Sequence, residues 1–301
     1  MSSECTYSDL RKLQLVELDL LREVDRICRK HKIRYYLIGG TMLGAVRHGG
    51  FIPWDDDVDI EMPHIDYKRF CEICKTELDH EKYFLQNMEN DPHHRFIFAK
   101  FRRNNTLYVR KGQEHMGFHQ GIYIDIFPSY PVPSTRIAFY IYSFVIARCK
   151  TIMWSPIGAQ SEESTFLRIV YRLISLIPKR IPKWIIFKIV GMCKGEIAHI
   201  IGAPYFGNNK LLHERMWRVS DRHNLVDVMD KLQSSVTIEI DFEGLTCYAK
   251  GNHDYMLTFM YGDYMDLPPE SERVGHHYAT TLDVGNVFEE VYANMQKENN
   301  G

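Results

Sequence analysis

Residues 39–61 read Gly-Gly-Thr-Met-Leu-Gly-Ala-Val-Arg-His-Gly-Gly-Phe-Ile-Pro-Trp-Asp-Asp-Asp-Val-Asp-Ile-Glu. Glycines let backbone N–H groups approach a phosphate closely. Carboxylate oxygens are the ligands of the hard divalent cations that activate phosphates. A glycine pair followed by four aspartates within five residues therefore predicts phosphoryl-type transfer, with Gly39, Gly40 and Thr41 cradling the donor phosphates.

The aspartates predict a metal site. A bare acidic run is usually a solvated loop, but this one is flanked by apolar residues that would bury it. A strand over Val58–Met62 would carry Asp57, Asp59 and Glu61 on one side, because side chains alternate along a strand. Asp125 lies in an apolar strand, where a lone carboxylate is costly unless it is paired or bound to metal. We expect Asp57, Asp59 and Asp125 to hold Mg²⁺ (or Mn²⁺), while Asp55 and Asp56 serve the turn.

The composition is that of a globular protein. The chain has 301 residues, 45% hydrophobic and 25% charged, with a formal net charge of −2. That charge does not indicate a nucleic-acid binder. Seven scattered cysteines do not form a disulfide framework. The sequence contains neither a signal-peptide core nor a run of eighteen apolar residues, so we expect a cytoplasmic protein.

The order of predicted elements indicates an α+β fold in three parts. An apolar stripe predicts a helix over Leu10–His31, capped by Ser8. Predicted strands and short helices alternate as far as the prolines at positions 128, 131 and 133. The parts are a core with the catalytic motifs (1–133), a mainly helical basic region (134–234) broken by Pro156, Pro178 and Pro182, and C-terminal strands with a short helix that complete the site (235–301). Residues 211–219 fit a strand or a helix equally well.

Several motifs together resemble the LicD family of phosphotransferases. They are the glycine–aspartate segment 39–61, Gly121-x-x-x-Asp125-Ile-Phe-Pro128, Lys100-Phe-Arg102 followed by Asn104-Asn-Thr106, and residues 261–270 with Arg273 and His276 behind them. The matching positions run from Leu13 to about His277, with the middle helical region the least informative. Pro63-His64 and Tyr248-Ala249-Lys250 depart from the family pattern.

The resemblance implies a nucleotidyltransferase-like mixed sheet flanked by helices. It implies transfer of phosphocholine or a polyol phosphate from a CDP-linked donor to a cell-surface glycan or its lipid-linked precursor. A lipid-linked acceptor would bring the cytoplasmic protein to the inner face of the cell membrane. It makes Asp57, Asp59 and Asp125 the metal triad and adds Thr106, Arg273 and His276 to the substrate site. We expect no nucleic acid among the partners of this protein.

Basic and sulfur-containing side chains add further candidates. Cations offset the charge on a transferring phosphoryl group, so Arg47, Lys100 and Arg102 are predicted phosphate ligands. For His48, the sequence fits that role and a surface position equally.

Cys71-x-x-Cys74 has zinc-like spacing without a second pair, and core packing is the better interpretation.

Residues 134–195 carry ten Lys or Arg and only two acids, a net charge of +8. Apolar and basic residues interleave there, which is typical of helices that lie on an anionic membrane surface. The alternative is a helical subdomain whose apolar faces pack on the core. The two interpretations remain open from the sequence.

Two other functions remain open. A nucleotidyltransferase would use the same triad to attack the α-phosphorus of a nucleoside triphosphate and release pyrophosphate. A non-catalytic membrane-surface protein could keep the fold, although a degenerate site would tend to lose one of the carboxylates.

Overall fold

The computed structural model describes residues 8–130, 136–192, 236–275 and 279–299. Within these ranges the chain forms eight α-helices and nine strands. In chain order they are α1 (Asp9–His31), β1 (Tyr36–Leu37), α2 (Gly39–His48), β2 (Asp59–Pro63), α3 (His64–Glu77), β3 (Tyr83–Gln86), β4 (Ala99–Arg103), β5 (Leu107–Arg110), β6 (Tyr123–Ser129), α4 (Arg136–Ser161), α5 (Thr165–Ile174), α6 (Arg180–Met192), β7 (Thr237–Phe242), β8 (Leu245–Lys250), α7 (His253–Tyr261), β9 (Ala279–Asp283) and α8 (Val287–Asn299).

Helix α1 supplies much of the core. Ser8 caps it by accepting a hydrogen bond from the Arg11 N–H at 3.2 Å, as predicted. Lys32 adopts a left-handed conformation and ends the helix. Leu13, Leu20 and Leu21 are almost fully buried in the cluster that also contains the sheet's inner residues. The helix therefore covers one face of the central sheet.

The central sheet has five strands in the order β1-β2-β6-β4-β3. Strands β2 and β6 are parallel, whereas β1/β2, β6/β4 and β4/β3 are antiparallel. A mixed sheet covered by helices confirms the α+β class. The register makes Asp59 and Lys100 the Cα partners of Asp125 on its two sides.

Strands β7 and β8, which lie in the predicted C-terminal strand region, pair as an antiparallel hairpin. Its turn residues Glu243 and Gly244 both have positive φ, at 55° and 76°, which suits a tight two-residue hairpin turn. Strand β8 packs against β1, and its Lys250 forms an ion pair with the fully buried Glu61 of β2. The hairpin is thereby fixed to the edge of the central sheet.

Two of the predicted breaks in the helical region are wrong. Pro182 lies in the first turn of α6, where its missing N–H costs no hydrogen bond within the helix. Helix α4 continues through Pro156, which was expected to break it. A proline has no N–H to donate to the carbonyl four residues earlier. Here the Ser155 hydroxyl donates to that carbonyl, Ile152 O, at 2.7 Å, so the hydrogen bond lost at Pro156 is replaced. Residues 193–235, including the undecided segment 211–219, lie outside the described residues.

Candidate active site

The loop that joins α2 to β2 gathers the aspartates. Asp55 and Asp56 are buried, Asp57 is half-buried, and β2 begins only at Asp59. Asp57 therefore lies in the loop before the strand. The Gln14 amide donates to Asp55 O at 2.9 Å, and the Tyr108 hydroxyl donates to Asp56 Oδ2 at 3.0 Å. These contacts hold the segment Asp55–Asp59, which ends on the first residue of β2 and which we call the acidic loop, against α1 and β5.

The acidic loop concentrates negative charge. Burial, followed by repulsion from Asp57 and Asp56, raises the pKa of Asp55 to about 8. Burial and the same group of aspartates also hold the pKa of Glu17 well above its usual value. Glu17 is 1% exposed, and its Oε2 atom is buried without a hydrogen-bond partner among the described residues. Burial of several carboxylates together is unfavourable unless a cation offsets their charge.

Helix α2 begins beside the acidic loop. Gly39 has a positive φ of 57°, and a Cβ atom at Gly40 would lie only 2.7 Å from Asp55 Oδ2. The glycine pair therefore allows the helix N-terminus and the Asp55 carboxylate to meet. The Thr41 hydroxyl accepts a hydrogen bond from the Asp59 N–H at 2.8 Å, which fixes the start of β2. The predicted phosphate-cradling role of these three residues stays a prediction.

Asp125 is paired with a buried lysine. Lys100 Nζ donates to Asp125 Oδ1 at 2.6 Å, and Lys100 is only 1% exposed. The ammonium also lies 3.5 Å from the centre of the Tyr123 ring and 5.0 Å from that of Phe96. Burial lowers the pKa of Lys100 to about 7, although Asp125 opposes this shift. Burial therefore disfavours the charged form of Lys100, and the carboxylate of Asp125 is the group that offsets this cost.

Two further predicted substrate ligands, Arg102 and Thr106, form hydrogen bonds with other residues of the protein. Arg102 is 2% exposed and donates to Gln86 Oε1 at 2.6 Å and to Gly121 O at 2.5 Å. The Thr106 hydroxyl donates to Arg103 O at 2.8 Å and accepts from Ile122 N–H at 2.9 Å. These contacts favour a role in holding β4, β5 and β6 together.

The remaining predicted ligands lie near the other edge of the acidic loop. Arg47 Nη1 donates to the carbonyls of Tyr264 and Asp266, at 2.9 and 3.1 Å. The Arg273 guanidinium lies 5.7 Å from the centre of the Trp54 ring. His48 is exposed and packs edge-on against the same Trp54. His276 lies outside the described residues.

The acidic site suits a hard divalent cation in its chemistry. Crowded carboxylates and the orphaned Glu17 oxygen are the donor set that Mg²⁺ or Mn²⁺ prefers. In the described ranges, no three His, Cys, Asp or Glu side chains converge closely enough to ligate one ion. To bind one metal ion, the carboxylates of Asp57, Asp59 and Asp125 would therefore have to move closer to one another. Asp125 would also have to bind the metal while it accepts the hydrogen bond from Lys100.

Several residues of the site escaped the sequence analysis. Arg110 donates to the Tyr123 hydroxyl at 3.1 Å, and Asp125 is among the charges that act on it. Burial and the aspartates of the acidic loop raise the pKa of Tyr261. Glu17 has a signal in the sequence, because it is an acid between Val16 and Leu18 in the buried stripe of α1. Tyr261 begins the segment 261–270 that resembles the LicD family. Arg110 carries no comparable signal, because only the tertiary fold brings it to the site.

The similarity to known proteins covers this site. The family model described as LicD/FKTN/FKRP, nucleotidyltransferase domain, matches residues 32–145, which contain Gly39, the acidic loop, Lys100 and Asp125. Lipopolysaccharide cholinephosphotransferase LicD of Haemophilus influenzae is 28% identical over 279 residues, covering 89% of this chain and 96% of that protein. The chain therefore contains a domain that matches the LicD family model, and it is similar to the LicD protein over most of its length.

A second relative matches a shorter stretch of this chain. Ribitol 5-phosphate transferase FKRP of Mus musculus is 64% identical over 104 residues, which are 33% of this chain and 17% of that protein. The match to the bacterial LicD protein therefore spans both chains almost entirely, whereas the match to the mouse protein is confined to one segment.

In the described part of the chain, no helix combines the length and apolar content that crossing a membrane requires. The two histidines at positions 93 and 94 separate in the fold. His93 is exposed, whereas His94 is 1% exposed and its Nε2 lies 2.8 Å from Phe98 O.

Cys74 is buried in the core and Cys71 packs against it, so the pair serves packing, as predicted.

Proposed function

We propose that this protein transfers a phosphocholine or polyol-phosphate group from a CDP-linked donor to a glycan or its lipid-linked precursor. The observation that carries the proposal is the arrangement of Asp59, Asp125 and Lys100 on adjacent strands beside the acidic loop. This arrangement lies inside the segment that matches the family model. The names of the two relatives, a cholinephosphotransferase and a ribitol 5-phosphate transferase, support phosphate-group transfer.

In this proposal Asp57, Asp59 and Asp125 hold Mg²⁺ or Mn²⁺. When bound, such a cation would withdraw negative charge from the donor phosphates and favour departure of the nucleotide. The surplus of buried carboxylates and the orphaned oxygen of Glu17 support a cation at this position. The parallel pairing of β2 with β6 inside a mixed sheet supports the nucleotidyltransferase-type fold that the family description names.

The chain's own groups would position the reactants and move one proton. An acceptor hydroxyl oxygen forms the new bond to the donor phosphorus that carries the choline or polyol. The bond from that phosphorus to the bridging oxygen breaks, and CMP leaves with the electron pair. The hydroxyl proton passes to Asp125, where Lys100 at 2.6 Å stabilises the carboxylate before the transfer. The α2 N-terminus at Gly39–Thr41 and the Arg47 guanidinium provide positive charge for the nucleotide phosphates.

A donor panel tests the proposal. The purified protein is incubated with Mg²⁺ and with CDP-choline, CDP-ribitol, CDP-glycerol, UDP-linked sugars or nucleoside triphosphates, and the released nucleotide is identified. We expect CMP from one CDP-linked donor and none in EDTA. Pyrophosphate released from a nucleoside triphosphate would instead identify a nucleotidyltransferase. The absence of release from every donor, with a lipopolysaccharide or teichoic acid acceptor present, would favour a non-catalytic protein.

Metal binding can be tested without measuring activity. Mg²⁺ or Mn²⁺ should raise the melting temperature of the wild type, because a ligand that binds only the folded state stabilises it. The same addition should have little effect on Asp59→Asn. Glu72→Gln provides a matched control, because Glu72 is an exposed acid paired with Lys75 outside the site. An equal rise for all three proteins would contradict a metal site at Asp59.

A further inference from the structure

Helices α4, α5 and α6 expose an unusual amount of apolar surface. Of the eighteen exposed large hydrophobic side chains of the described residues, ten lie on these helices and two more, Leu176 and Ile177, lie in the segment that joins α5 to α6. We call the exposed apolar side chains of these three helices the insert face. Large exposed apolar patches on a folded protein indicate a binding surface. The insert face is therefore a candidate docking surface.

Helix α5 contributes the most exposed part of the insert face. None of its residues is buried. Phe166, Ile169 and Leu173 are 73%, 51% and 63% exposed, and their spacing of three and four residues places them on one side of the helix. Tyr171 instead packs edge-on against Trp154 of α4, with ring centres 5.4 Å apart. The helix thus rests on α4 and presents its apolar stripe to the solvent.

Basic side chains border the same surface. Arg148 lies over the Phe144 ring at 5.5 Å, and Lys188 lies over the Trp184 ring at 5.9 Å. Residues 136–192 carry nine Lys or Arg against Glu162 and Glu163, a net charge of +7. Aromatic and aliphatic groups beside Lys and Arg are typical of segments at a membrane interface, where the rings enter the acyl boundary and the cations meet the headgroups.

We propose that the insert face docks on an anionic lipid bilayer, with α5 lying in the plane of the interface. The charge argues against a second copy of this chain as the occupant, because a symmetric contact would bring two surfaces of net charge +7 together. A nucleic acid would match the charge but would leave the aliphatic side chains in water. An anionic bilayer satisfies both the charge and the apolar side chains.

Docking at the insert face would also place the active site at the membrane. Ile157 of α4 packs with Met116 and Phe118, and Phe96 and Trp154 pack against this cluster. The Phe96 ring in turn lies 5.0 Å from Lys100 Nζ, and Lys100 pairs with Asp125. The insert is therefore joined to the strands that carry the candidate catalytic groups by direct packing.

Vesicle co-sedimentation of the full chain tests the docking proposal. Wild type is mixed with vesicles of phosphatidylcholine alone or of equal parts phosphatidylcholine and phosphatidylglycerol. We expect binding to the anionic vesicles, weakened by added salt because exposed charges are screened. Wild type that stays in the supernatant with anionic vesicles at low salt would overturn the proposal.

Two variants and one control identify the surface. The charge variant replaces four exposed basic residues of the insert by Gln: Arg148, Arg172, Arg180 and Lys188. The control removes the same charge from exposed lysines outside the insert: Lys30, Lys68, Lys75 and Lys297. Each headgroup contact of about 1 kcal/mol corresponds to roughly a fivefold change in partitioning. We expect the charge variant to lose at least roughly tenfold in vesicle binding, and the control much less. Equal losses would mean that net charge alone drives binding, and would overturn the assignment to the insert face.

The apolar variant replaces Phe166, Ile169 and Leu173 by Ser. These side chains are exposed, so the melting temperature should stay the same while vesicle binding falls. Sedimentation velocity over a range of concentrations distinguishes the other occupant. A dimer that forms in wild type and disappears in the apolar variant would assign the insert face to a second copy of this chain and would contradict the membrane proposal.

Discussion

Asp59 and Asp125 are Cα partners in the parallel pairing of β2 with β6. Neighbouring strands lie about 4.8 Å apart, and paired residues point to the same face of the sheet. Lys100 is the partner of Asp125 on the opposite side, in β4. The sheet therefore carries two carboxylates and one ammonium in a row, and the ammonium bonds to Asp125.

The two aspartates should differ in their effect on stability. Asp125→Asn leaves the buried Lys100 without its counter-ion, and we expect it to lower the free energy of unfolding by about 3 kcal/mol. Asp59→Asn removes a charge from a crowded group of carboxylates, so it should leave stability unchanged or raise it. Both should lower turnover roughly a hundredfold or more. Urea unfolding in EDTA measures the stabilities, and release of nucleotide from the donor measures turnover. Equal destabilisation by both variants would contradict the pairing of Lys100 with Asp125 rather than with Asp59.

A double-mutant cycle measures the Lys100–Asp125 pair. Lys100→Met should destabilise the protein, because it leaves Asp125 without the ammonium that lies 2.6 Å away. The double variant with Asp125→Asn should recover part of that loss, which gives a coupling energy of about 1–3 kcal/mol. Activity should not recover. The exposed pair Lys75–Glu72 is the matched control, and its coupling should be below about 1 kcal/mol.

Thr41 should affect both stability and activity. Its hydroxyl accepts the hydrogen bond from the Asp59 N–H in a buried position. Thr41→Val would leave this N–H without its partner, and we expect a loss of about 1–3 kcal/mol in urea unfolding together with lower turnover. Thr41→Ser keeps the hydroxyl and should stay close to wild type. A Val variant as active as the Ser variant would remove Thr41 from the site.

His94 should limit stability in acid. Burial lowers its pKa to about 3, while the unfolded chain binds the same proton near pH 6.5. The unfolded state therefore binds more protons between these values, and stability should fall as pH falls from about 6.5 towards 3, by up to about 1.4 kcal/mol per pH unit. Above pH 6.5 the histidine contributes no pH dependence. His94→Gln should flatten this slope in thermal melts, whereas His93→Gln, at the exposed neighbour, should not.

The local features of the fold could be predicted from the sequence. The apolar stripe of α1, its cap at Ser8 and the hairpin β7–β8 depend on side-chain periodicity and turn residues close in the chain. The path of α4 through Pro156 could not be predicted from proline alone, because the hydroxyl of Ser155 replaces the missing donor.

The candidate site could be predicted only in part. The glycine pair and the aspartates are evident in the sequence because they lie within one segment. The pairing of Asp125 with Lys100 depends on the antiparallel register of β4 and β6, which single-sequence patterns do not give. The sequence predicts Arg102 as a phosphate ligand, but its guanidinium donates hydrogen bonds to Gln86 and Gly121. Only the tertiary fold brings these partners together.

Transfer of the phosphate group to an acceptor tests the proposed reaction directly. The protein is incubated with Mg²⁺, a soluble glycan acceptor and the CDP-linked donor selected by the panel, and mass spectrometry follows the acceptor. We expect the proposed transfer to add the mass of one donor phosphate group to the acceptor for each CMP released, and we expect Asp59→Asn and EDTA to abolish the gain. An acceptor that gains a nucleotide, or that gains its phosphate group equally well in EDTA, would contradict it.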